Sequence, residues 1–172
     1  MNLQSDDFAL FDVPRRFVQN AELLEARWKQ LMREVHPDRF AAQGSAAQRL
    51  AMQWTVRINE AYRRLRNPLA RAAYLCELHG APVRAEDNTA MPPSFLMQQM
   101  EWREQLEETD ALSQVDVLEA EVVNARGVAL ERCRVSLDEA LDAEGASQQV
   151  RALMFIERFL HDIEARRAAI AP

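Results

Sequence analysis

An all-α fold is predicted for this chain by three features. Apolar residues recur at intervals of three and four, few segments alternate with period two, and only four of the 172 residues are glycine. The elements follow in order. After the short apolar piece Phe8–Phe11, Pro14 breaks the chain. Asn20 then reads as the N-cap of a helix running to about Val35, with Glu22 in the first turn, where the helix dipole favours an acid. Gly44 and Ser45 open the next helix, and Ser45 with Gln48 fits a capping box. That helix is expected to reach about Arg66 and to end before Pro68. A shorter helix starts at Pro68, a residue tolerated at the first helical position, and Gly80 stops it. Residues 81–93, "APVRAEDNTAMPP", carry three prolines and little apolar periodicity, so they read as a linker. Three long helical patterns follow at about 94–109, 115–142 and 147–169. Ser94 is the expected cap of the first, and Gly145 with Ser147 the break between the second and third.

The chain therefore divides into a helical domain over 1–80, a linker over 81–93 and a three-helix bundle over 94–172. At about 100° per residue, Leu24, Trp28, Leu31 and Val35 share one helix face. Leu50, Trp54, Ile58, Ala61 and Leu65 share a face of the next. These two helices are expected to pack antiparallel, with His36-Pro37-Asp38 at the exposed turn between them.

The bulk numbers exclude some functions. A length of 172 residues with 48% hydrophobic content allows two small cores. A net charge of −6 argues against nucleic acid, which wants a basic surface. Cys76 and Cys133 stand far apart without metal spacing, which predicts reduced thiols in a reducing compartment. The opening "MNLQSDDFALF" has neither a signal-peptide nor a transit-peptide pattern, and no apolar run is long enough to span a membrane. These features predict a soluble cytoplasmic helical protein.

Lys29, Arg33 and His36 follow at i, i+4 and i+7 and form one polar stripe away from the apolar face. Basic residues alone on such a stripe are as well explained by a solvated helix face. Its continuation into the turn shifts the balance. Pro37 forces His36 off the helical region and fixes the bend, so a histidine and a carboxylate are held in set directions beside a cationic strip. Such a site suits docking onto an acidic surface. Catalysis fits poorly, because no nucleophile, second base or phosphate-cradling glycine loop lies nearby in sequence.

At these residues the sequence resembles the J-domain co-chaperones, which stimulate the ATPase of DnaK-type chaperones. "HPD" lies between two such helices, "INEAYRRL" (58–65) is similar to the core segment of the helix after that loop, and "FALFDVP" (8–14) to the family's opening helix. "HPDRF", with "NPLARAAYLCELHG" (67–80) followed by "SFLMQQMEWREQLEE" (94–108), is similar to the HscB group, which delivers the iron–sulfur scaffold IscU to the dedicated chaperone HscA. The resemblance spans nearly the whole chain. It implies that the proline and aspartate hold a docking histidine at the chaperone's interdomain junction. The implied chaperone contacts are His36, Pro37 and Asp38 with Lys29, Arg33 and Arg39, and no cofactor is implied. Asp12 departs from the pattern, since J-domains usually place glycine there, and this bears on the local turn. The Gly/Phe-rich region and zinc-binding repeats of general-purpose J-proteins are missing, as expected of a specialist.

In the second half, Phe95, Trp102 and Leu106 form a core face on the first bundle helix. Leu96, Met97 and Met100 form a second apolar stripe interleaved with Glu101, Glu104 and Glu107. That stripe either packs against the first domain or a neighbouring helix, or it is an acid-rimmed binding patch whose methionines suit an adaptable contact. On the last helix, Ala152, Ile156, Phe159 and Ile163 make the core face, with Phe155 about a quarter-turn away. The resemblance implies Leu96, Met97, Met100, Glu101, Glu104 and Phe155 as scaffold contacts. Cys133 falls among Val122, Ala129 and Leu137 as a core thiol. Cys76 and His79 have C-x-x-H spacing without a second pair to complete a zinc site, and His161 reads as a surface or rim residue. Two classes thus stay open: a non-enzymatic adaptor, including a general J-domain co-chaperone with another client, and a helical enzyme or metal- or cluster-binding protein using His36, His79 and the cysteines.

Overall fold

The computed structural model describes residues 4–84, 91 and 93–171. Its elements are α1 (Asp7–Phe11), α2 (Ala21–Glu34), a 3₁₀ turn (Pro37–Gln43), α3 (Ser45–Arg66), α4 (Pro68–Leu78), α5 (Pro93–Glu108), α6 (Leu112–Asp138) and α7 (Ala143–Ile170). Among the described residues there is no strand, as the periodicity predicts. The chain forms two compact units, Met1–Tyr74 and Leu75–Pro172. This boundary falls inside α4, earlier than the expected end of the first domain at residue 80. Most of the expected linker, residues 85–90 and 92, lies outside the described residues.

In the first unit, α1 is capped by Asp6, whose Oδ1 accepts the Ala9 N–H at 3.0 Å. It ends at Asp12, which takes a left-handed conformation (φ 50°). Asp is among the few non-glycine residues that enter this region readily. Arg27 Nη2 then donates to its carboxylate at 2.6 Å, so the residue that departs from the J-domain pattern still makes the turn. Phe8 and Phe11 are buried and stack on Tyr74 and Tyr62, with ring centroids 5.9 and 6.3 Å away. Asp7, the first residue of α1, is fully buried, its carboxylate 2.7 Å from Arg57 and 2.8 Å from Arg64 of α3. A buried carboxylate persists only when paired in this way.

Asn20 caps α2 as predicted, its Oδ1 accepting the Leu23 N–H at 2.9 Å. Leu24, Leu31 and Val35 are buried against α3, and Trp28 is half-buried, donating its indole N–H to Asn59 at 2.9 Å. On α3 the buried face is Ala51, Ile58, Ala61 and Leu65. Leu50, expected in the core, is exposed. It lies about 80° around the helix from Ile58, whereas Ala51 lies about 20° away. The expected capping box at Ser45 does not form. Gly44, at φ 90°, turns the chain directly out of the 3₁₀ segment and stands as the N-cap with no side-chain bond. Pro68 does open α4, where Asn67 Oδ1 accepts the Ala70 N–H at 3.0 Å. Gly80, at φ 80°, follows its end.

In the second unit α6 and α7 pack along their length and α5 lies against both. Trp102 is fully buried and donates to Glu121 at 2.8 Å. Val115, Leu118, Val122, Ala129, Cys133 and Leu137 face Ala146, Val150, Leu153, Ile156, Phe159 and Ile163 in the core. Arg166 of α7 donates to the Thr109 carbonyl at 3.0 Å, and Arg167 pairs with Asp116 at 2.6 Å. The break between the two long helices is not at Gly145 and Ser147. It falls at 139–142, and Asp142 caps α7 by accepting the Gly145 N–H at 2.9 Å. Gly145 and Ser147 therefore belong to the first turns of α7, where a cap three residues upstream outweighs a single helix-weakening glycine. Ser94 is the second residue of α5 rather than its cap.

Candidate functional site

The turn at the end of α2 is built from its own short side chains. His36 is extended (φ −56°, ψ 126°) and stands as the N-cap of the 3₁₀ segment that Pro37 opens. Its carbonyl accepts the Arg39 N–H at 3.0 Å, and its Nδ1 accepts the Asp38 N–H at 3.3 Å. The turn is thus closed by two bonds to one residue while the functional groups point out. The His36 side chain is 57% exposed and the Asp38 carboxylate 92% exposed.

The basic residues around this turn are more engaged than their spacing suggests. Lys29 is 2.6 Å from Glu25, one helical turn back. Arg33 Nε donates to the Lys29 carbonyl at 3.2 Å, and Arg39 Nη1 to the Arg33 carbonyl at 3.1 Å. Two guanidinium groups therefore lie against the C-terminal carbonyls of α2, where positive charge is favoured by the dipole. Arg39 ties the turn to the helix it follows, a role that needs its fold-back geometry and leaves no signal in spacing.

On α5, Trp102 points into the bundle, while Phe95 and Leu106 are half-buried. The second stripe is uncovered by α6 and α7: Leu96 is 44%, Met97 66% and Met100 72% exposed, and Glu101 and Glu104 are exposed beside them. Phe155 behaves differently. It is half-buried, stacked on Phe159 at 5.8 Å and edge-on to Phe95 at 5.8 Å, with the Arg103 guanidinium 5.5 Å from its ring centroid. Together with Trp102 these rings close a four-membered aromatic cluster. Phe155 thus supports α5 through Phe95 and Arg103. Met97 and Glu101 also border a groove whose far wall is Asn124, Val128 and Arg132 of α6. Sequence reasoning missed those three, because only the packing of α5 beside α6 brings them near the stripe.

Both thiols are free and buried. Burial pushes Cys76 up to about 11 and Cys133 up to about 12. His79 is exposed while Cys76 is buried. His161 is exposed, with Nδ1 3.6 Å from Glu164. Among the described residues no group of three or more His, Cys, Asp or Glu is placed to hold a metal ion, and no helix is long and apolar enough to cross a membrane.

A proline-fixed His-Pro-Asp turn on a helical hairpin, followed by a helical unit with an open apolar stripe, defines a co-chaperone of the J-domain class. The family model of the HscB C-terminal oligomerisation domain matches residues 91–164. The chain is 47% identical over 165 residues to the co-chaperone protein HscB homolog of Bordetella petrii, covering 95% of this chain and 97% of the relative. It is 47% identical over 169 residues to the HscB homolog of Burkholderia multivorans, covering 96% of each. Among solved structures, chaperone HscB from Vibrio cholerae matches with TM-score 0.82 and 29% identity over 97% of this chain and 100% of that one. Human co-chaperone protein HscB matches with TM-score 0.90 and 26% identity over 97% of this chain and 84% of that one. The chain belongs to the HscB co-chaperone family. With membership goes the family's role in iron–sulfur cluster assembly.

Proposed function

We propose that this chain is an adaptor without catalytic chemistry of its own, built from a docking domain over 1–80, a linker over 81–93 and a client-binding domain over 94–172. The first docks the His-Pro-Asp turn on a DnaK-type chaperone of the HscA kind and stimulates its ATPase. The second carries an IscU-type iron–sulfur scaffold on Leu96, Met97, Met100, Glu101, Glu104 and Phe155. The carrying observation is the turn itself, in which the Asp38 carboxylate is almost fully exposed on a segment that Arg39 ties back to the Arg33 carbonyl of α2. Exposed charge on a preorganised loop favours fast, oriented association. The open stripe on α5 supports the client role, since an apolar patch with an acidic rim suits a protein partner. Two free buried thiols suit a reducing compartment such as the cytoplasm.

The test is His36→Gln in a single-turnover ATPase assay with the chaperone. The variant should fold normally, because the site is exposed, and should lose stimulation. Full stimulation by a folded variant would remove the reading.

A further inference from the structure

The two ring nitrogens of His36 stand in different surroundings. Pro37 has no N–H, so the first free backbone donor of the turn is that of Asp38, and it points at Nδ1, 3.3 Å away. A ring nitrogen that accepts an N–H carries no proton, so the neutral imidazole holds its proton on Nε2. The Asp38 carboxylate lies 3.6 Å from the same Nδ1. That is too far for a hydrogen bond, and it sets one acceptor against another. While the ring is neutral, nothing competes with the backbone donor for Nδ1. Nε2 makes no hydrogen bond among the described residues, on a side chain 57% exposed.

We propose that His36 divides its work between its nitrogens: Nδ1 is the internal cap that builds the turn, and Nε2–H is the donor offered to the chaperone. The docking donor is then Nε2–H, and the receiving group is an oxygen acceptor, a carboxylate or a main-chain carbonyl. This deepens the chaperone-docking reading and rests on it. Asp38 is left free to make its own contact with a donor on the partner.

The proposal is tested on the full chain labelled with ¹⁵N-histidine. A long-range ¹H–¹⁵N spectrum, taken where the ring is neutral, reads the tautomer, and the His36 signals are those lost in His36→Asn. The expected result is an unprotonated Nδ1 and a protonated Nε2. His36→Asn places an amide oxygen near the Nδ1 position, as a good N-cap does, and nothing at Nε2. It should keep the Asp38 amide exchange rate and lose stimulation by roughly tenfold or more, the effect of deleting one docking hydrogen bond. His36→Gln instead leaves the Asp38 N–H uncapped, so that amide should exchange faster, and stimulation should fall because the turn that aims the side chain is no longer closed. A proton on Nδ1, or undiminished stimulation by His36→Asn, overturns the proposal. A parent chain that stimulates no chaperone overturns the docking reading and the role of Nε2 with it, while the spectrum still decides the role of Nδ1.

Discussion

Replacing Met97 and Met100 together by Ala should separate client binding from stability. Both side chains are largely in solvent, 66% and 72% exposed, so about a third of each is buried. Full burial of such a side chain is worth about 1.5–3 kcal/mol, which leaves about 0.5–1 kcal/mol at each site. Alanine returns a few tenths through helix propensity. The pair should therefore lower stability by only about 1 kcal/mol, or roughly 2–4 °C in Tm for a chain of this size. Anchors at the centre of an interface lose about 2 kcal/mol each on truncation, so two together weaken scaffold binding by about a thousandfold. Calorimetric titration with the scaffold and thermal melting give the two numbers. Phe155→Ala is the contrasting control, because it opens the aromatic cluster on Phe95 and Phe159 and should cost about 2 kcal/mol of stability. A fall of ten degrees or more for the methionine pair would show that the stripe is packing. An unchanged melt with unchanged affinity would place the client elsewhere.

Other expectations follow from the same geometry. Arg33→Glu should slow chaperone association more than Lys29→Glu, whose parent charge is already matched by Glu25. Stopped-flow rates at low and high salt check this, because exposed charges are screened over about 8–10 Å at physiological ionic strength, and equal rates for both variants and parent refute it. The buried thiols should resist a thiol reagent at pH 8 until the protein is denatured. Because folding raises Cys76 from 9.0 to about 11 and Cys133 to about 12, the folded state holds more protons above pH 9. Stability should therefore be flat below that pH and fall as pH climbs towards 11 to 12; denaturant melts across that range test the sign. Leu141 is 77% exposed at φ 54°, a conformation that strains a branched side chain. Leu141→Gly should raise stability by up to about 1 kcal/mol, and a lower Tm would mean that the side chain makes a contact worth keeping.

What the sequence determined by itself are the features written within one turn of chain. Asn20 three residues before Leu23, Pro68 at a helix start, Gly80 at a helix end and the periodic faces of α2, α6 and α7 could be read directly, since caps and amphipathic faces arise from neighbours three or four residues apart. The His-Pro-Asp turn was legible for the same reason: proline restricts itself and the residue before it whatever the rest of the fold does. Where two local signals competed, reading failed. Gly145 looked like a break, but Asp142 closes a better cap just before it. Tertiary structure alone decided which polar groups are buried and which apolar ones are not. Asp7 is buried because Arg57 and Arg64, fifty or more residues away, pair with it. Leu50 reads as core until the packing on α3 is seen to fall on Ala51's side of the helix. Phe155 became part of a closed cluster only when α5 brought Phe95 and Trp102 against α7. Burial belongs to the meeting of helices distant in sequence, and a periodic pattern shows which face is apolar without showing what, if anything, will cover it.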